Sequence, residues 1–367
     1  MTERERLIKV LKKETPDRVP WFADLGHWFR AESGQPWNLF KVSNCTEEIA
    51  DLHREVRAGW YVEVGSLHEE FYEDGVVREK ELKGDRAIER FLTPVGEIFM
   101  ERKWSPVSFS WDITKLLVEN RHDLEVLLYA IERKKFLPRY ENWDDIERIG
   151  GDVGLGFPGL GYTGLGSLMS YYMGVQNTIY ALYENPEIIE RYIDTYNARH
   201  LEMVDLYCKS PAPHIIFTDN LSSDVQPPDI FRKFSFNHYK AIADRLHEAG
   251  KTVSTHIDGM LDGIIGVTAE TGIDVADACT PKPTGDLTPI EMRKQAGNNI
   301  ILMGGISPVM WLPATSEKEF IAHVREWLDL RKINSLLVQS AGDQVPPGTD
   351  LKRIKLVYDL VEEYGRY

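Results

Sequence analysis

A histidine and an aspartate stand two positions apart where an apolar run ends. His256 and Asp258 close the segment TVSTHIDG, residues 252–259. On a β-strand, residues i and i+2 project to the same face, so both side chains would point into whatever the strand lines. Imidazole and carboxylate groups can bind a metal ion or move protons. The alternative is that His256 caps a loop while Asp258 begins the next helix, where a carboxylate favours the exposed amides.

Further polar side chains follow other apolar runs that are typical of strands. They are Asp24, His27, Asp219, Asn220, Asp277, Cys279, Ser340 and Asp343. In an α/β barrel the chemistry takes place at the carboxyl ends of the strands. Several buried carboxylates at one mouth would require a cation, a proton or a cationic substrate. His256 with Asp258 and Asp343 would form a nitrogen and oxygen set that suits Zn²⁺, and equally Mn²⁺ or Fe²⁺.

Aromatic residues gather beside the first of these runs. The stretch PWFADLGHWF places Trp21, Phe22 and Trp28 around Asp24 and His27. An aromatic wall with a few polar groups suits an aromatic or macrocyclic ligand, so we expect these five residues to bind substrate. A buried first strand followed by an exposed loop explains the same pattern.

A glycine-rich segment over residues 156–174 contains Tyr162 and Tyr171. It has neither a GxGxxG nor a Walker pattern, which argues against a dinucleotide site. The glycines would instead let the backbone approach a flat ligand closely. Tyr162 is a candidate for substrate binding, although tyrosines at this spacing are often core residues.

Apolar runs and helical segments alternate along most of the chain. Strands are expected at 20–26, 60–65, 152–159, 214–220, 252–259, 274–279, 299–306 and 335–340. Such alternation requires parallel strands with helices packed outside. Eight units predict an α/β fold, a (β/α)8 TIM barrel, with an open doubly wound sheet as the alternative. We expect a single domain over 1–367, with an N-terminal helical extension and a β-hairpin inside an insertion at about 66–120.

The composition indicates an ordinary globular protein. Hydrophobic residues make up 43% of the chain, and 58 acidic against 43 basic side chains give a net charge of -15. This charge repels phosphate backbones and anionic lipids, so we expect neither nucleic acid nor a membrane as a partner. The three cysteines form no CxxC pair and the N-terminus lacks a signal peptide, so a cytoplasmic location is predicted.

The order of these features resembles the uroporphyrinogen decarboxylase superfamily, which includes the corrinoid-dependent methyltransferases. The likeness lies in RERLIKVLKKETPDRVPWF, LTPVGEIF, GSLMSYYMG, LMGGIS, SAGDQVPPGTDLKRI and the long segment from TDNLSSDVQ to STHIDG. It implies a (β/α)8 barrel with a cleft at the carboxyl ends of the strands. It also implies that Tyr171 is an active-site tyrosine, since this residue matches the one of the family.

The chain departs from true uroporphyrinogen decarboxylases where those enzymes bind substrate carboxylates. They carry an Arg-Gln-Ala-Gly-Arg segment after the first strand, and the matching stretch here is LGHWF, with Leu25 and Phe29 in place of both arginines. Bidentate arginine is the group suited to carboxylates. The resemblance is therefore closer to the corrinoid-dependent methyltransferase branch.

In that branch zinc is held by a His-x-Cys pair and a later cysteine. His256 matches the histidine, while Asp258 and Asp343 stand at the two cysteine positions. Carboxylates make a harder site than thiolates, one that suits the polarisation of an ether or hydroxyl oxygen. The resemblance thus implies a divalent metal, most simply Zn²⁺, on His256 and Asp343, with Asp258 as a catalytic group or further ligand.

The resemblance therefore implies a metal-assisted methyltransferase of the kind that acts in O-demethylation. It would move a methyl group between a small methylated or methoxylated substrate and a corrinoid (cobalamin) supplied by a carrier protein. Tyr171 would orient the substrate, and Asp219 would act as a catalytic proton relay or ligand. The alternatives are a carboxy-lyase acting on a smaller acid or tetrapyrrole, and a non-catalytic module that binds a tetrapyrrole or corrinoid carrier. A homodimer is compatible with all three.

Overall fold

The computed structural model describes residues 1–32, 34, 37–40 and 45–367. The strands are β1 (Phe22–Ala23), β2 (Gly59–Val64), β3 (His68–Tyr72), β4 (Val77–Lys83), β5 (Arg86–Thr93), β6 (Gly96–Ser105), β7 (Ser110–Lys115), β8 (Lys134–Pro138), β9 (Gly154–Pro158), β10 (His214–Leu221), β11 (Thr252–Ile257), β12 (Val275–Cys279), β13 (Ile301–Gly305) and β14 (Leu337–Ser340).

The helices lie mainly between the parallel strands. They are α1 (Glu3–Leu11), α2 (Gly26–Glu32), α3 (Glu47–Val56), α4 (Arg121–Glu132), α5 (Trp143–Gly150), α6 (Gly164–Ser167), α7 (Val175–Glu184), α8 (Pro186–Lys209), α9 (Pro228–Phe234), α10 (Phe236–Glu248), α11 (Ile264–Ala269), α12 (Pro289–Ala296), α13 (Glu317–Leu328) and α14 (Leu351–Tyr364). A π-helical turn, Leu168–Tyr172, follows α6. Within the described ranges no helix combines the length and the apolarity needed to cross a membrane.

Within the described residues, eight strands run parallel to their neighbours. β1, β2 and β9 form one sheet, and β10 to β14 form another in sequence order. Single parallel bridges join the outer strands of the two sheets, one from Trp21 to Gln339 and one from Gly159 to Ile216. The predicted α/β class is confirmed, and each of the eight predicted runs overlaps one of these strands.

The side chains that face the interior of the parallel strands form one apolar cluster. It contains Phe22, Tyr61, Leu155, Phe157, Ile216, Val275, Ile301, Met303 and Val338, together with Leu7, Val10 and Leu11 of α1. Spacing of two along a strand, as in Leu155 and Phe157, places side chains on one face. Helix α1 contacts β2, β9 and β14, so it covers one end of this interior.

An antiparallel sheet of β4, β5, β6 and β7 lies between β2 and β9 in the sequence. β5 and β6 pair from Arg86 with Lys103 to Thr93 with Gly96, which forms the hairpin expected around the TPVG turn. The hairpin is thus the middle of a four-stranded sheet. β3 and β8 form a separate antiparallel pair.

Candidate active site at the carboxyl ends of the parallel strands

A cavity of about 460 Å³ opens where the parallel strands end. Its apolar wall includes Tyr61, Phe157 and Ile216, which also belong to the interior cluster. The polar residues that line it are Asp24, Tyr162, Thr218, Asn220, His256, Asp258, Asp343 and Gln344. Asp24 follows β1, Asp258 follows β11 and Asp343 follows β14, so separate strands bring these carboxylates to one cavity.

His256 lies between two carboxylates. Its Nδ1 is 3.3 Å from Asp277 Oδ2, and its Nε2 is 3.8 Å from Asp343 Oδ1. The register of β11 and β12 pairs His256 directly with Asp277. Burial opposes a charge on the imidazole, but the hydrogen bond to Asp277 and the charges of Asp343, Asp277 and Asp258 outweigh it and raise the pKa of His256 to about 10. Without a metal ion, the imidazole is therefore protonated on both nitrogens at neutral pH.

The other two carboxylates of the cavity differ in their surroundings. Burial raises the pKa of Asp258, and the charge of Asp343 adds to this effect while His256 opposes it. Asp24 Oδ1 accepts a hydrogen bond of 2.8 Å from the Gly26 backbone N–H at the start of α2. Asp24 therefore supports the local backbone as well as lining the cavity.

The donor set fits a divalent metal ion in its chemistry. In the part of the chain that the structure describes, no three His, Cys, Asp or Glu side chains are grouped closely enough to hold one. His256 and Asp343 approach each other as expected for two ligands of one ion, while Asp258 does not complete a set of three. When a histidine binds a metal ion through one ring nitrogen, a carboxylate at the other nitrogen fixes the orientation of the ring and its tautomer. Asp277 has this position relative to His256.

Asp219 lies outside the cavity lining and is fully buried. It accepts hydrogen bonds from the Thr163 backbone N–H at 2.8 Å and from the Tyr239 hydroxyl at 3.0 Å. Burial raises the pKa of Asp219 to about 6, although these hydrogen bonds act in the opposite direction. A side chain on Gly166 would overlap Asp219 Oδ1. These are the contacts of a residue that positions the turn carrying Tyr162, rather than of a group that meets substrate.

The two predicted tyrosines have different environments. Tyr162 lines the cavity, and burial raises its pKa to about 12, so its hydroxyl stays protonated. The Tyr171 ring lies 6.1 Å from that of Tyr162 but lines an adjoining cavity of about 180 Å³. Its hydroxyl donates to Glu89 Oε2 at 3.2 Å, and the Arg102 guanidinium lies 4.5 Å from its ring centre. Tyr171 thus contacts the antiparallel sheet, and its cavity shares Gly159 and Tyr162 with the His256 cavity.

The predicted aromatic wall is corrected by the structure. Trp21 is fully buried and stacks on Trp311, while Phe22 is buried in the interior cluster. His27 Nε2 lies 3.2 Å from the Phe109 carbonyl, and Trp28 donates to the Thr349 carbonyl. None of these four predicted residues lines the cavity.

The aromatic surface of the cavity comes from Tyr61, Phe157 and Tyr162 instead. The first two rings are 5.1 Å apart on the neighbouring strands β2 and β9. Tyr61 and Phe157 were not among the predicted site residues, because their only signal in the sequence is the alternation of large residues along these strands.

Comparison with known proteins identifies the family. The model of the uroporphyrinogen decarboxylase (URO-D) family matches residues 161–364, more than half of the chain. The protein belongs to this family. A methyltransferase from Methanosarcina mazei has a similar fold, with a TM-score of 0.63, 18% sequence identity and coverage of 99% of both chains. No curated protein sequence matches this member of the family.

Two other solved structures are less similar. The IOLI protein with a binding zinc atom shares 11% identity, with coverage of 59% of this chain and 80% of its own, at a TM-score of 0.30. The 3-dehydroquinate dehydratase from Geobacillus kaustophilus HTA426 shares 12% identity, with coverage of 66% and 77%, at a TM-score of 0.27. Similarity at this level carries no information about the site.

Proposed function

We propose that this member of the family is a methyltransferase that moves a methyl group between a small methylated or methoxylated substrate and a corrinoid carried by a partner protein. The proposal assumes that the eight parallel strands form a (β/α)8 barrel, the fold that family membership implies. It is supported by the fold shared with the Methanosarcina methyltransferase along nearly the whole chain. The reaction would take place in the cavity at the carboxyl ends of the strands, where this class of fold keeps its chemistry.

The charge of the cavity is the observation that carries the proposal. Asp24, Asp258 and Asp343 line it, and none of its described lining residues is Lys or Arg. A polycarboxylate that leaves water needs several cationic partners, and among the described lining residues His256, or a metal ion bound to it, provides a single one. The lining therefore disfavours decarboxylation of a polycarboxylate and favours a reaction that needs no anion site.

A divalent metal ion would be held by His256 Nε2 and Asp343, with Asp277 fixing the imidazole. When bound, such an ion, most simply Zn²⁺, would act as a Lewis acid on an oxygen leaving group. Mixed nitrogen and oxygen ligands also accept Mn²⁺ or Fe²⁺.

The remaining steps belong to the protein's own side chains. Tyr61, Phe157 and Tyr162 would hold the apolar part of the substrate and exclude water from the methyl group. The Asp258 carboxyl, at the same cavity, would accept or return the proton of a hydroxyl product. Asp219 would keep the Tyr162 turn in place through Thr163.

Metal analysis of the purified protein tests the site. We expect about one divalent ion per chain in the wild type, little in His256→Ala, and the full amount in the matched control Asp194→Asn, which changes an exposed aspartate on α8. Activity of the wild-type protein without bound metal would contradict a role for the metal in the reaction.

A methyl-transfer assay tests the reaction itself. Reduced free cobalamin serves as acceptor for the methyl group of a candidate donor, and methylcobalamin serves as donor in the reverse direction. The cobalamin absorption spectrum should change only with enzyme present. Release of carbon dioxide from an acid substrate without any corrinoid would show a decarboxylase instead.

A further inference from the structure

We infer that the substrate extends past Tyr162 and places a second, neutral oxygen group, a hydroxyl or a carbonyl, in the adjoining cavity of about 180 Å³. The inference rests on the proposed function and names its substrate class, a neutral methylated molecule with an oxygen group at its far end. It depends on three tyrosine hydroxyls and on the ion pairs beside them.

The two cavities meet at Tyr162. Gly159 and Tyr162 line both of them, so the segment that joins these residues is the wall between the cavities. Its backbone is anchored to β10, since the Leu160 N–H donates to the Ile216 carbonyl at 2.8 Å. A molecule that carries its methyl group beside His256 and reaches the adjoining cavity would therefore pass the Tyr162 ring.

Three tyrosine hydroxyls that line the adjoining cavity have no hydrogen bond to the described residues. They belong to Tyr162, Tyr172 and Tyr196. None of the three oxygens is among the fully buried atoms that lack a partner, so each of them reaches open space. Burial raises the pKa of all three side chains, so the hydroxyls stay protonated and can donate. Such donors bind water or the oxygen of a ligand.

Other polar groups of this cavity already have partners. The Ser167 hydroxyl donates to the Gly164 carbonyl at 2.8 Å. The two ring nitrogens of His200 lie 2.9 Å from the Leu160 carbonyl and 2.8 Å from a ring nitrogen of His238. The tyrosine hydroxyls are thus the groups that a ligand oxygen would meet.

The buried ions beside these hydroxyls are paired with one another. The Lys134 ammonium lies 2.5 Å from Glu70 Oε1, and Arg78 forms ion pairs with both Glu70 and Glu89. Two cations thus face two carboxylates in this network. A ligand carboxylate would add a charge that the network does not compensate, whereas a neutral oxygen accepts hydrogen bonds without changing the charge.

Two further arginines lie nearby and have other partners. Arg199 lines the cavity and pairs with Glu202 at 2.8 Å. The Arg102 guanidinium lies over the ring of Tyr171 and lines neither cavity. These side chains therefore do not turn the adjoining cavity into an anion site.

Binding of three probes of nearly equal length tests this inference by calorimetry on the full chain. They are 6-methoxyhexan-1-ol, 1-methoxyheptane, in which a methyl group replaces the hydroxyl, and 6-methoxyhexanoate, which ends in a carboxylate. We expect the alcohol to bind roughly tenfold more tightly than 1-methoxyheptane, because its oxygen accepts hydrogen bonds that a methyl group cannot. The acid should bind more weakly than the alcohol, since burial of its charge is not compensated.

Variants that remove single hydroxyls locate the oxygen group. Tyr196→Phe and Tyr172→Phe should each reduce the preference for the alcohol over 1-methoxyheptane to a few-fold or less. Tyr183→Phe is the matched control and should retain the preference, because Tyr183 is 85% exposed and lies outside the cavity lining. Thermal unfolding checks the folding of each variant, and the second tyrosine keeps the test informative if one variant folds poorly.

Other outcomes overturn the inference or the proposed function separately. Equal or tighter binding of 1-methoxyheptane, tighter binding of 6-methoxyhexanoate, no binding of any probe at millimolar concentration, or an unchanged preference in both folded Phe variants would each overturn the inference. Methyl transfer to or from cobalamin without a preference for the alcohol would keep the methyltransferase and remove this inference. A preference that depends on the tyrosines, without methyl transfer, would keep the extended site and remove the proposed function.

Discussion

The Nδ1 atom of His256 lies 3.3 Å from Asp277 Oδ2, and the two residues face each other on the neighbouring strands β11 and β12. Asp277 is buried, so its carboxylate has little access to other partners. The contact directs Nε2 toward Asp343 and the cavity. Asp277 is thus a positioning residue that acts through the imidazole.

Asp277→Asn should weaken metal binding by about 10- to 100-fold, because the amide holds the imidazole less firmly than a carboxylate does. Metal titration of the purified variant measures the affinity, and its thermal midpoint serves as the control for folding. If the affinity is unchanged while the variant is folded, Asp277 does not orient a metal ligand.

Asp219 should make stability depend on pH. Burial raises its pKa from 3.8 to about 6 in the folded protein, so the folded state holds this proton more tightly than the unfolded state. The contribution of Asp219 is therefore most favourable below pH 3.8, and it declines as pH rises to about 6. The loss amounts to roughly 3 kcal/mol at most.

Asp219→Asn removes this titration and can still accept the hydrogen bond from Thr163. Urea unfolding at several pH values gives the difference in unfolding free energy between wild type and variant. This difference should shift in favour of the variant as the pH rises from 4 to 6. A difference that stays constant across this range would contradict a raised pKa of the buried Asp219 carboxyl.

Gly166→Ala should destabilise the protein by about 1–3 kcal/mol, because the added carbon would overlap Asp219 Oδ1 in a buried site. Gly65→Ala is the matched control, since no atom lies within 4 Å of the added carbon there. Urea unfolding should place the midpoint of Gly166→Ala well below that of Gly65→Ala. Similar midpoints would mean that the turn around Tyr162 adapts easily.

Tyr171→Phe should reduce stability by about 1 kcal/mol and lower the methyl-transfer rate by less than about tenfold, because the hydroxyl bonds to Glu89 and not to the His256 cavity. Unfolding measurements and kcat report the two effects separately. A rate loss of a hundredfold with unchanged stability would instead put the hydroxyl at the reacting groups, as the resemblance to the family implies.

The strands and the central pair of the site could be predicted from the sequence. Apolar runs that end in polar residues located all eight parallel strands, and the rule that such ends share one face brought His256 and Asp343 together. His256 Nε2 and Asp343 Oδ1 lie 3.8 Å apart, although many residues separate them in the chain.

The remaining parts of the site depend on contacts that local patterns do not encode. The pairing of His256 with Asp277 follows from strand register, which one sequence does not give. Phe22 lies in a strand of two residues and Trp21 directly precedes it, so the sequence could not indicate which side faces the helices. The position of Tyr171 depends on Glu89 and Arg102 of the antiparallel sheet, far away in the chain.

Leu7 and Val10 of α1 belong to the same apolar cluster as the interior side chains of the strands. This helix covers one end of the strands, and the described cavity opens at the other end, where the parallel strands finish. In the proposed reaction, a corrinoid carrier that docks over this opening would require the substrate to bind before the carrier docks. The product would leave after the carrier dissociates. Substrate binding and product release in the proposed reaction would then be ordered relative to docking of the carrier.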